Sequence, residues 1–242
     1  MKARGGFKEK AYRKIKEYIL NSDFYPGQHI RHADLSEVLN MSRTPAREAM
    51  QRLVEEGFIV HLPNRGYFVS EITEKEAEEL YELRETLEAF CIERAIDRCK
   101  KRDLESIRKL LDKYKATIDG HVSRQTLLVD RNFHLKIAEL AGNELVYKVL
   151  FGVFEKIIMK RNIERMPVSD ARFGLKRHTI IFRAIESGDR NKAVRHIREH
   201  IREGKRRLLE QVSRRKEVRV LATPTPRAAL SLKGRKSRLQ FS

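Results

Sequence analysis

The sequence predicts a mainly α-helical protein in two parts: a short N-terminal unit closed by one β-hairpin, and a longer all-α unit behind it. Three observations predict this. Residues 8–55 carry apolar side chains at helical spacing, and residues 57–69 then give two β-prone runs around a Pro-Asn-Arg-Gly turn. From Thr73 to about 212 the 3.6-residue apolar period continues without a convincing strand. It is interrupted at Asp119-Gly120, Gly142-Asn143, Met166-Pro167 and Ser187-Gly188-Asp189, which break helices for chemical reasons. Beyond 212 the chain turns basic and loses its period, and Pro224 and Pro226 oppose helix and sheet alike. The expected segments are therefore 1–72, 73–212 and a basic disordered tail, 213–242.

In the first segment, Lys8 to Leu20 places Ala11, Ile15, Tyr18 and Ile19 on one side of an amphipathic helix, and Tyr25-Pro26-Gly27-Gln28 is turn chemistry. Ala33 to Leu39 reads as a short second helix and Asn40-Met41 as a turn. A third helix then starts with Ser42 and Thr44 as capping residues and Pro45 in the first turn, where its missing N–H leaves no bond unmade. Ala46, Ala49, Met50 and Leu53 form its apolar stripe. Arg43 and Arg47 stand one turn apart at the positive end, away from most of that stripe, where arginines can reach guanine edges and phosphates in a major groove. This is a helix-turn-helix. The hairpin Gly57–Val60 and Tyr67–Val69, turning at Pro63-Asn64-Arg65-Gly66, completes it as a winged helix. The candidate DNA-binding residues are Ser42, Arg43, Thr44 and Arg47 on the helix, with Arg65 and Gly66 at the wing. There glycine permits close approach to a minor groove; a solvated turn is the other reading of Arg65.

The formal charge of +18 favours a polyanionic partner, and ten of those charges fall in residues 202–242, with 13 basic and 3 acidic side chains. Cys91 and Cys99, eight residues apart on one predicted helix, are too far apart to pair within it and read as free thiols of a reducing compartment. No stretch approaches the roughly 20 apolar residues of a membrane span, and the N-terminus has no signal-peptide core. A cytoplasmic protein with no membrane partner is expected.

Six helices are expected in the second segment, over 73–99, 102–119, 125–141, 143–162, 170–187 and 189–212. With about 100° between successive residues, Asp130 and His134 share the middle of an apolar face lined by Leu127, Ile137, Ala138 and Ala141. His178 is bracketed by Ala171, Gly174, Ile181, Phe182 and Ile185, and His200 falls within roughly 60° of the last helix's stripe, with His196 facing water. A single histidine on an apolar face is ordinarily a satisfied core residue. Three with a carboxylate, on three helices, would be costly to bury unpaired. A divalent cation removes that cost, and the donor set suits zinc, nickel, cobalt or iron. Arg84 is also bracketed by apolar residues; it either pairs with Glu88 one turn on or aims its guanidinium into the same chamber to take a carboxylate. Arg131 and Arg161 are weaker candidates for that contact, and a solvated role is the favoured reading of both.

Pro26-Gly27, Leu35-Ser36, Ser42-Arg43-Thr44-Pro45, Arg47-Glu48-Ala49, Leu53, Glu56-Gly57 and Arg65-Gly66 together resemble the GntR family of bacterial transcription regulators. Asp130-Arg131-Asn132-Phe133-His134, Ala141-Gly142-Asn143-Glu144-Leu145, His178 and His200 resemble the FCD effector domain of its FadR-type subfamily, and six effector helices look like the VanR-like group. The resemblance covers about residues 8–212. It implies a winged helix-turn-helix joined to an FCD-like antiparallel bundle, working as a homodimeric regulator, more often a repressor, on a palindromic double-stranded operator. It also implies that Asp130, His134, His178 and His200 bind a divalent transition metal ion, zinc or nickel foremost, and that Arg84 contacts a small organic acid effector. One residue departs from the pattern. Arg177 stands where the family often has Glu, but about 100° from His178 it should lie off the core face.

Two other functions are compatible with the residues. A metalloenzyme with an appended DNA-binding head would use open metal positions, but no further carboxylate or nucleophile is obviously placed as a general base. A sequence-blind nucleic-acid binder driven by the basic tail would be steeply salt-dependent and unselective.

Overall fold

The computed structural model describes residues 2–21, 23–31, 35, 39, 43–118, 120–161 and 166–222, with backbone alone for 2–5, 43 and 215–222. Helix α1 (Lys2–Leu20) buries Ala11, Tyr12, Ile15 and Ile19 along one face. It begins six residues before the predicted start. Gly5-Gly6 weakens a helix but does not stop one already anchored by packing, because extension costs far less than nucleation. Of the expected second helix, Leu35 and Leu39 are described, both helical and buried; the Asn40-Met41 turn lies outside the described residues.

Helix α2 (Arg43–Glu55) buries the predicted stripe of Ala46, Ala49, Met50 and Leu53 against α1. Strands β2 (Ile59–Leu62) and β3 (Gly66–Val69) form the antiparallel hairpin in the register Ile59↔Val69 and Leu62↔Gly66. A third strand, β1 (His29–Ile30), adds to β3 and gives the order β1-β3-β2. It is only two residues long, too short to show the alternation by which strands are read from sequence. At the wing tip Asn64 and Gly66 both have positive φ, 59° and 88°. A Cβ on Gly66 would come within 2.9 Å of His29 Nε2, so the strand pairing itself demands glycine here.

Six helices follow among the described residues: α3 (Glu74–Arg98), α4 (Lys101–Ala116), α5 (Arg124–Leu140), α6 (Glu144–Lys160), α7 (Val168–Glu186) and α8 (Arg190–Ala222). Their starts follow capping chemistry: Thr73, Ser123 and Asn143 accept the N–H groups of Glu76, Thr126 and Val146 at 3.1, 3.3 and 3.2 Å. The buried core gathers Ile92, Ile107, Phe133, Leu150, Phe154 and Ile181. Helices α3 and α8 run together and are clipped by Glu85, which accepts from Arg202 at 2.7 Å and from Arg198 at 3.3 Å.

The expected disorder from residue 213 is corrected, because α8 continues to Ala222. Residues 213–222 contain neither Pro nor Gly, so a helix already held by packing extends one hydrogen bond at a time until the Pro224 region. Residues 223–242 lie outside the described residues.

The two units meet along the C-terminal half of α6. Met159 is wholly buried in the core of the N-terminal head. Lys16 Nζ on α1 lies 2.8 Å from Glu155, while Lys160 Nζ, 2.6 Å from Glu76, pairs within the second unit. The Lys160 carbonyl also accepts the Ile72 N–H at 3.4 Å. Cys91 and Cys99 are free thiols, and burial pushes Cys91 up to about 12, out of the reactive range. No helix is long and apolar enough to cross a membrane among the described residues.

Candidate functional site

Helices α5, α7 and α8 each turn one histidine toward a common point. Their phases follow from the apolar stripes: Phe133, Ile137 and Ala138 seat α5, Ile181 and Ile185 seat α7, and Ile197 and Ile201 seat α8. The Nε2 atoms of His134, His178 and His200 are mutually 3.2, 3.1 and 3.3 Å apart. Phe133 stacks on the His178 ring at 4.4 Å and Phe154 on the His134 ring at 5.4 Å, which fixes both planes.

These spacings match a cation site. Donors about 2.1 Å from an ion, at angles between octahedral and tetrahedral, would be about 3.0–3.4 Å from one another. Hydrogen bonding alone is a poor account of the triangle, since a neutral imidazole has one N–H and three ring nitrogens here face one another. Burial first, then the charges of His134 and Arg84, hold His178 well below the ordinary histidine range. His200 is lowered in the same way, by burial and then by its histidine neighbours. Both therefore offer neutral lone pairs, the form that a metal requires. The triad could hold a metal ion.

Asp130 stands at the margin of the triad. Its Oδ1 is 3.5 Å from His178 Nε2 and its Oδ2 is 4.0 Å from His134 Nε2, slightly wider than ligand spacing. Its side chain is 24% exposed, which corrects the expectation of a central place on a buried face: α5 borders an open cleft at this turn. Burial of the carboxylate nevertheless raises its pKa against the attraction of His134, Arg84 and Arg161.

Glu88 is a site residue that the sequence did not reveal. It is buried, and one oxygen accepts from Arg84 Nε at 2.7 Å while the other lies 2.5 Å from His134 Nδ1. The second approach is hydrogen-bond length but off the preferred angle, so it is a close contact rather than a hydrogen bond. Arg84 and His134 together hold the Glu88 carboxyl down at about 2 despite its burial. A carboxylate on Nδ1 keeps Nε2 free for an ion. The i,i+4 spacing to Arg84 was legible; the reach across to α5 was not.

Arg84 is paired with Glu88, yet it also lines the cleft, its guanidinium 4.3 Å from the Phe154 ring. The cleft, about 530 Å³ of non-atom space partly open to solvent, is bordered by Arg84, Asp130, His200, Tyr114, Arg161 and Arg207. Gly174 leaves room for the Tyr114 hydroxyl, which a Cβ there would meet at 2.9 Å. Arg161, expected in solvent, is instead buried at the end of α6, because that end closes over the cleft rather than the surface. Arg131 does lie on the outer surface, beside Asn132 and the Phe151 ring. Arg177 pairs with Glu199 at 2.5 Å, off the triad as its phase implies.

At the other end, Thr44 and Arg47 are exposed on the first turns of α2, and Arg65 is exposed at the wing tip, 5.9 Å from the Phe68 ring. Gly66, half-buried, has the structural reason given above. Arg43 begins α2, whereas Ser42 lies outside the described residues.

Comparison with known proteins agrees with this architecture. Residues 7–69 match the model of bacterial regulatory proteins of the gntR family, and residues 79–203 match the FCD domain. The chain is 26% identical over 190 residues to the HTH-type transcriptional regulator YdhC of Bacillus subtilis, covering 78% of this chain and 85% of YdhC. It is 24% identical over 195 residues to the HTH-type transcriptional repressor RspR of Escherichia coli, covering 81% and 86%. Among solved structures, E. coli McbR/YncC shares the fold with a TM-score of 0.71 at 20% identity, over 85% of this chain and 98% of that one. The chain belongs to the GntR family of bacterial regulatory proteins, as a DNA-binding transcription regulator with a C-terminal FCD effector-binding domain.

Proposed function

We propose that this regulator is a cytoplasmic homodimeric repressor whose hold on a palindromic operator is set by a small carboxylic acid in the α-helical cleft. One observation carries the sensor reading: three Nε2 atoms converge at ligand spacing beside a cleft that also receives a buried arginine. His134, His178 and His200, with Asp130 as the fourth donor, are the residues that would hold a divalent ion, zinc or nickel. Such an ion supplies fixed positive charge and open positions for an acid's oxygens. Arg84 presents its free guanidinium edge toward the same acid, and Glu88 keeps Arg84 and His134 in register. Glu88 is thereby occupied at both oxygens, which argues against its service as a general base and so against a metalloenzyme. The name of RspR supports repression.

On the operator, Arg43 and Arg47 read bases, Ser42 and Thr44 hold phosphates, and Arg65 with Gly66 meets the minor groove. An acid can alter this only by binding one arrangement of the heads better than another. The joint at Glu155 and Met159 supports such coupling, because this end of α6 packs on the head while the rest lies in the effector bundle. Dimerisation is supported by an uncovered apolar face on α3 and α6: Leu145 is 74% exposed and Val149 47%, with Leu83, Phe90 and Phe151 also exposed. Replacing Leu145 and Val149 together by Glu should yield a folded monomer in sedimentation runs and weaken operator binding by about 100-fold, as loss of the second head requires. A dimer that persists in the double variant would move the interface elsewhere.

The direct test titrates small carboxylates into zinc- or nickel-loaded protein bound to DNA flanking its own gene. At least one acid should shift operator affinity by about 10-fold, within the usual range of allosteric coupling, and only with metal present. Affinity indifferent to both metal and acids would reject the sensor.

A further inference from the structure

Three arginines border the cleft, and their charges are not equally compensated. Arg84 is matched by buried Glu88. Arg207 is matched by Asp170 and by Glu203. Arg161 is 8% exposed, and its side-chain hydrogen bonds among the described residues go to one neutral acceptor, Gln211 Oε1, at 3.3 and 3.4 Å. Those lengths are long for a charged N–H donor, which ordinarily draws an anionic oxygen to about 2.7–2.9 Å. No carboxylate lies within ion-pair distance of it among the described residues. The C-terminal end of α6, which Arg161 caps, offers only a partial negative charge.

A buried guanidinium without an ion-paired counter-anion is costly to keep, and the nearby carboxylate that Arg161 attracts, Asp130, is shared with His134 and Arg84. Arg161 borders the same cleft as Arg84 and His200. We propose that Arg161 is a second anion-binding point of the cleft, and that the effector carries two separated anionic groups, one taken beside Arg84 and the triad and one by Arg161. This rests on the acid-sensing reading above and specifies its ligand class. Selectivity follows from charge: a monoacid leaves Arg161 unanswered, whereas a diacid answers both cations. Because Met159, buried in the head's core, and Lys160, whose carbonyl accepts the Ile72 N–H, precede Arg161, the second anion is held on the very segment that joins the two units.

The test is calorimetry on the nickel-loaded full chain with matched pairs of acids, butyrate against succinate and valerate against glutarate, together with 3-phosphonopropionate. Wild-type protein should bind a diacid at least about 10-fold more tightly than its monoacid partner, the worth of one charged hydrogen-bonding contact. The phosphonate arm shows whether the second group is better carboxylate or phosphonate. In Arg161→Gln the preference should fall to within about 3-fold while monoacid affinity and nickel content stay as in wild type. Acids that bind without diacid preference, or a preference that survives in Arg161→Gln, overturn the assignment and leave the acid-sensing reading standing. No binding by any acid overturns both. Should Arg161→Gln fail to fold, Arg161→Lys decides: a point charge without the planar fork should retain part of the preference, and an undiminished one refutes a bidentate contact.

Discussion

His178→Ala is expected to abolish metal binding and with it every response of the operator complex to acids. His178 is fully buried, and its Nε2 contacts both other imidazoles, at 3.2 Å to His134 and 3.1 Å to His200. Removing it takes away one of the three donors of the triad. The two nitrogens that remain, with a carboxylate at wider spacing, make a poor site for an ion. Metal content by atomic absorption should fall below about a tenth of the wild-type value, in line with the loss of one of the few protein ligands. A chelator provides the internal control. It should lower the melting temperature of loaded wild type by several degrees, because metal bound only by the folded state stabilises it, and leave the variant unmoved. Glu88→Gln should be milder, about 10–100-fold in metal affinity, because it keeps all three donors and loses only the carboxylate behind His134. Full metal content in His178→Ala would show that the histidines do not form the site.

Arg47→Ala should remove operator selectivity without unfolding the head. Arg47 is exposed, and the residues anchoring α2 are Ala46, Ala49, Met50 and Leu53, none of which the substitution touches. A bidentate contact to a base is worth about 1–3 kcal/mol of discrimination, or roughly 5- to 160-fold in operator affinity. Binding to unrelated DNA should change little, since its strength comes from the phosphates and the remaining basic residues. Footprinting and the salt dependence of binding separate the alternatives. If Arg47→Ala weakened all sequences equally and reduced the salt slope by about one, Arg47 would be a phosphate contact rather than a base reader.

Helical phase was the most legible property of this chain. His134, His178 and His200 point inward as their apolar neighbours required, and every predicted helix of the second segment begins within two residues of its observed start. Turn-forming segments with glycine or proline marked four of the breaks between them. Where the reading failed, the cause was a property not carried by one segment. Strand β1 exists because β3 lies beside it, and α8 outruns its expected end because the packed part supports the rest. Arg161 looked like a solvated residue after an apolar helix until the cleft placed space in front of it.

The sequence by itself determined two units, a DNA-reading helix on the first and an inward-facing donor set on the second. It could do so because the direction of a side chain on a helix depends only on its own neighbours along the chain. Tertiary structure decided which donors meet, that Glu88 bridges Arg84 on its own helix to His134 on another, and that Asp130 stands at a margin. Those are distances between helices. They are set by how whole side-chain surfaces pack, a sum over many contacts that no local pattern encodes.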